Sequence, residues 1–152
     1  MHISWNYLDK RKATIEAIGS YDDMAFIIEH TDEEISEVKN RMSGVGSPGM
    51  DGLPHVHNPK AGEERLVSAI DEIDLLKERY RQAEEYMAWF KPAWEQLSED
   101  ERYVLCTCFM KEVGAEDAMC LVAEHFHIER TSVYMKKKRA LDHMTNLLYG
   151  RV

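Results

Sequence analysis

Apolar residues in this chain recur mostly three and four positions apart, the spacing that places them on one face of a helix. Trp5, Leu8, Ile15 and Ile18 keep that spacing and predict a first helix from about Ser4 to Ile18, ended by Gly19-Ser20. Met24, Ile28, Thr31, Ile35, Val38 and Met42 alternate by four and three over a second helix, about Tyr21 to Met42, as a narrow seam of coiled-coil type. From Glu63 to about Phe90, Leu66, Ile73, Tyr80 and Met87 share one heptad position, and Ala69, Leu76, Ala83 and Phe90 follow three residues later. Four such heptads predict a long helix packed along a partner for its whole length. That partner is either the second helix folded back antiparallel or a second copy of the chain.

The pattern lapses twice. Residues 43–62 hold five of the eight glycines and three of the four prolines, which reads as a mobile linker or a functional loop. His55 and His57 lie there without further ligands nearby, so no metal site is assigned. At Lys91-Pro92 the proline predicts a kink or a helix end, and the boundary between two halves is expected from Pro92 to Ser98. The expected fold is all-α. A helical, coiled-coil-like region spans 1–92, and a three-helix domain spans 97–150.

The second half carries the clearest signal. Ser98 with Glu101 three residues on is a capping box, opening a helix expected from Glu99 to about Glu112 with Gly114 as its left-handed cap. A second helix is expected over about Glu116 to Phe126, with Met119, Val122, Ala123 and Phe126 inward. Ile128 plugs the turn, and a third helix begins near Arg130 with Val133, Ala140, Leu141, Met144 and Leu148 on one face. An apolar helix, a turn of about four residues and a basic helix form the pattern of a helix-turn-helix, whose second helix enters the major groove of DNA.

Charge sharpens this reading. The 152 residues carry a net charge of -9, which argues against indiscriminate nucleic-acid binding. Yet Arg130 to Val152 has a net of +5, with Asp142 its only acid, where a DNA reader neutralises phosphates. The exposed face of the third helix would offer Arg130, Thr131, Ser132, Tyr134, Met135, Lys138 and Asp142, with Lys137 and Arg139 beside them. Arg130 suits bidentate bonding to guanine, and Thr131 and Ser132 suit base or phosphate contacts. Tyr134 and the lysines suit backbone contacts. The plain alternative is a solvated basic face that the helix macrodipole favours.

The run Val122-Ala-Glu-His-Phe-His-Ile128, followed by Thr131-Ser-Val-Tyr134 and Lys138-Arg-Ala-Leu141, resembles the last segment of sigma-70 region 4-like proteins. The longer layout, with Leu97-Ser-Glu-Asp-Glu-Arg-Tyr-Val-Leu105 leading into the reader, is similar to RinA/ArpU-type phage transcriptional regulators. The resemblance implies a DNA-binding transcription regulator acting beside RNA polymerase. His127 stands where that family prefers glycine, and Glu129 where it prefers a capping serine.

Other functions are disfavoured. The chain lacks HExxH, a Gly-rich phosphate loop ahead of a helix, and any Cys-x-x-Cys pair, so no enzyme and no cofactor is implied. Cys106 and Cys108 point about 200° apart on a helix and read, with Cys120, as free thiols of a cytoplasmic protein. No apolar run is long enough for a bilayer, and the N-terminus lacks a signal-peptide pattern. The expected partners are double-stranded DNA, RNA polymerase and, through 63–90, a second copy. The competing reading is a protein-interaction factor that works through its acidic helical half.

Overall fold

The structure, a computed structural model, describes residues 9–44 and 59–150, and every regular element among them is helical. Helix α1 spans Lys10–Gly19. It starts later than the pattern predicts because Asp9 is extended and its carboxylate accepts the Lys12 N–H at 3.1 Å, capping the helix there. Trp5 and Leu8 lie outside the described residues.

Helix α2 spans Tyr21–Ser43 and α3 spans Pro59–Gln96. Most of the predicted break, with His55 and His57, lies outside the described residues. Its last four residues join the first turn of α3, where Pro59 loses nothing, since a first-position N–H has no intrahelical acceptor. At its other end α3 runs on through Pro92, contrary to the expected kink or end. An interior proline costs about 3 kcal/mol. Here Phe90, Ala93 and Leu97 around it are all buried, and that burial outweighs the lost hydrogen bond.

Helices α4 (Glu99–Leu105), α5 (Ala115–Phe126) and α6 (Arg130–Tyr149) complete the chain. A five-residue π-helical segment, Cys106–Met110, follows α4, with Lys111 N–H donating to the Cys106 carbonyl at 3.2 Å. The expected single α-helix to Glu112 therefore widens by one residue per turn over its last stretch and stops at Met110. Gly114 is not its left-handed cap. With φ -57 and ψ 149 it is the residue that opens α5.

Contacts divide the chain into two units, one of Met1–Met24 with Glu85–Val152 and one of Ala25–Glu84. In the second unit α2 and α3 run antiparallel. Arg41 pairs with Glu72 at 2.8 Å and Arg79 pairs with Glu34, while Thr31, Val38, Ile73 and Ala83 are buried. Of the two partners the heptads allowed, helix two of the same chain is the one observed. The Thr31 hydroxyl donates to the Ile27 carbonyl one turn back, so it enters the seam with its polarity satisfied.

The first unit has a core of Ile18, Phe90, Leu97, Val104, Leu105, Val122, Val133 and Met144. Phe90 is fully buried, with ring centroids 5.3 Å from Tyr86 and 5.6 Å from both Tyr21 and Trp94. Helix α1 belongs to this unit, although the sequence pattern grouped it with the N-terminal half. Thr14 and Ile18, four apart, are its buried face, and α1 packs against α6 and the π segment. The Tyr86 hydroxyl donates to the Ala17 carbonyl, and burial pushes that phenol well above its ordinary pKa. The division by contacts thus falls at 24/25 and 84/85 rather than between 92 and 97.

Candidate nucleic-acid interface

Ser98 and Glu101 form the capping box the sequence predicts. The Ser98 hydroxyl accepts the Glu101 N–H at 3.2 Å and the Glu101 carboxylate accepts the Ser98 N–H at 2.9 Å. The second oxygen of Glu101 meets His143 Nδ1 of α6 at 2.9 Å. Burial works against ionising Glu101. The Ser98 N–H and then the His143 ring outweigh it and hold the carboxyl below the usual range. One acidic side chain thus starts α4 and ties it to α6.

The junction of α5 and α6 has three residues, 127–129. His127 adopts φ 53 and ψ 46, a left-handed conformation that favours glycine. Its N–H donates to the Glu124 carbonyl at 3.4 Å and the Ile128 N–H to the Ala123 carbonyl at 3.1 Å, the paired bonds of a Schellman motif. Ile128 is half-buried against the core beside Ala123, as a plug in the turn should be. Glu129 is the N-terminal flank of α6 and makes no side-chain cap. Glu129→Ser is expected to stabilise the fold by about 1 kcal/mol by supplying the missing acceptor. It would also remove an acid from the end of α6 offered to DNA. A denaturation midpoint no higher than that of the parent chain would refute the capping argument.

The site residues divide along α6. Thr131, Ser132, Tyr134, Met135, Lys138 and Arg139 are exposed, and Lys138 and Arg139 form no ion pair among the described residues. Arg130 is exposed but engaged: its guanidinium donates to Glu116 in the first turn of α5. That carboxylate, and then the Tyr134 hydroxyl, raise the Arg130 pKa above its ordinary value. Lys137 does not join the exposed face. Its ammonium sits 4.9 Å from the Phe109 ring centroid, on the flank that carries Val133. Lys136 is likewise tied down, 4.2 Å from the Phe126 ring and 3.5 Å from Asp100. The cationic run 136–139 is thus two clamps on the core and two free charges.

Sequence reasoning missed one contributor. Arg11 of α1 donates from Nε to Asp142 of α6 at 2.7 Å, bringing the run Lys10-Arg11-Lys12 beside the proposed reading helix. The run itself was visible in the sequence. Nothing local said where it would dock. Among the described residues no three His, Cys, Asp or Glu side chains gather as a metal site, and no helix is long and apolar enough to cross a membrane. Cys106 and Cys108 are half-buried free thiols, and burial pushes the Cys108 thiol up.

The chain matches no family model, no curated protein and no solved structure. What defines its class is therefore the all-α fold with α5, a three-residue turn and α6 at its end.

Proposed function

We propose that the protein is a sequence-specific DNA-binding transcription regulator of phage or prophage type, a helix-turn-helix protein whose α6 enters the major groove. The observation that carries this reading is the exposed face of the first half of α6, made of Arg130, Thr131, Ser132, Tyr134, Met135 and Lys138. It follows a three-residue turn with a left-handed residue, His127, and an apolar plug, Ile128. Thr131, Met135 and Lys138 fall on one side of α6 at helical spacing, so they would enter one groove together. Lys138 and Arg139 supply phosphate contacts, and Arg130 a guanine contact once it leaves Glu116. RNA polymerase is the protein partner that the resemblance to sigma-70 region 4 implies, in the cytoplasm.

The test is selection from a pool of random duplex DNA at two salt concentrations, with sequencing of what is retained. Enrichment of one motif is expected, with affinity falling by about 0.9 in log-log slope for each phosphate neutralised. Retention of no motif and no salt-sensitive binding would reject the reading. A second reading has its own observation. Leu66, Val67 and Ile70 stay about half-exposed on α3, in a unit rich in acids, as a protein-docking surface would be. Under that reading the chain forms a salt-insensitive complex with a protein and ignores DNA.

A further inference from the structure

Asp142 is the only acid in α6, and it lies four residues beyond Lys138 on the side that also carries Thr131 and Met135. Left bare, its carboxylate would stand within about one Debye length, ~8 Å, of any phosphate held by Lys138 and would repel it. It is not bare, because Arg11 Nε reaches its Oδ1 at 2.7 Å across 131 residues of sequence. The Ala17 carbonyl of α1 accepts the Tyr86 hydroxyl, Tyr86 meets Trp89 with ring centroids 6.2 Å apart, and Trp89 meets Tyr149 at 5.5 Å, so the later part of α1 lies near the end of α6. The two helices therefore run in the same direction, and the N-terminal end of α1 is the end nearer Lys138. Lys12 at that end is exposed and forms no ion pair among the described residues. The neighbouring acid, Asp9, is turned into its own helix, accepting the Lys12 N–H.

We propose that α1 is part of the DNA surface: Lys12 contacts a backbone phosphate next to the one held by Lys138, and Arg11 cancels the Asp142 carboxylate that would repel both. The proposal rests on the reading of α6 as a DNA helix. It adds a flanking contact that widens the footprint without reading sequence, since phosphates carry none.

The test uses the full chain and a duplex carrying its selected motif, with fluorescence anisotropy over a range of salt. Lys12→Ala is expected to lower the slope of log affinity against log salt by about one, with base preference unchanged. Arg11→Gln is expected to weaken binding several-fold, and Asp142→Asn added to it to restore affinity to within about twofold, because the repulsive charge is then gone. An unchanged slope for Lys12→Ala, or no recovery in the Arg11→Gln, Asp142→Asn chain, overturns the proposal. Arg11 and Lys12 are exposed and Asp142 is half-buried, and an unchanged thermal midpoint distinguishes a lost contact from a lost fold. If the parent chain shows no salt-sensitive binding, the reading of α6 fails and takes this proposal with it. If the parent binds and the variants match it, only the role of α1 falls.

Discussion

An Arg130→Ala, Lys138→Ala chain is expected to bind its DNA motif roughly 30- to 1000-fold more weakly than the parent, about 2–4 kcal/mol. The two losses differ in kind. Arg130 stands at the start of α6, where a guanidinium reaches base edges, so its removal relaxes sequence preference as well as affinity. It also strips Glu116 of its partner, leaving an exposed carboxylate beside the same groove. Lys138 stands two turns on, and its loss lowers affinity evenly across sequences while reducing the salt slope by about one. Competition binding against motif and scrambled duplexes separates the two. An unchanged affinity would show that this face of α6 does not meet DNA. Neither residue touches the core, so helix content and unfolding midpoint should stay as they are.

Phe90→Ala is expected to cost about 3–5 kcal/mol of folding stability, a large share of the 5–15 kcal/mol typical of a domain. The ring is fully buried with Tyr21, Tyr86 and Trp94 within 5.6 Å, and none of those rigid aromatics closes the gap without leaving its own neighbours. Leu75, exposed on the same helix, is the control, and Leu75→Ala should change stability by no more than about 0.5 kcal/mol. Urea unfolding of the two chains would decide it. A Phe90→Ala loss below about 1 kcal/mol would mean that this aromatic cluster is not the keystone of the unit. Any loss of DNA binding in this variant should follow the fraction unfolded, unlike that of the Arg130, Lys138 pair.

The parts of the fold legible in the sequence are those decided within a few residues. The Ser98–Glu101 capping box follows from two side chains that meet backbone N–H groups three positions away, and the start of α6 falls at the expected Arg130 although Glu129 supplies no side-chain cap. The α2–α3 seam is legible from Ile73 onward for the same reason, since a heptad pattern announces its buried face. Leu66 on the same heptad position stays exposed, so the packing does not run the whole length expected. Elements settled by distant packing were not. Pro92 reads locally as a helix end, yet the helix continues because Phe90, Ala93 and Leu97 are wanted in the core. The π segment at Cys106–Met110 has no local mark in residues that fit an α-helix equally well. Of the residues expected to be exposed along α6, Lys137, next in sequence to Lys138, is instead turned onto Phe109 by the 100° step of the helix. Helix α1 was assigned to the wrong neighbours because its Thr14–Ile18 stripe says that it packs but not against what.

The pairing of Arg11 with Asp142, with Ile18 in the same core as Val133 and Met144, has a consequence for how the chain is made. The helix pair α2–α3 within Ala25–Glu84 is contiguous, so it can form as soon as its own residues have left the ribosome. The unit that holds α6 is not contiguous. Its helix α1 is synthesised before α2 and α3 and must wait for α6, a contact of long sequence separation and so a slow one to make. A nascent or truncated chain lacking α1 or α6 therefore has no finished core in this unit, and the surface proposed for DNA is supported only once both helices are present.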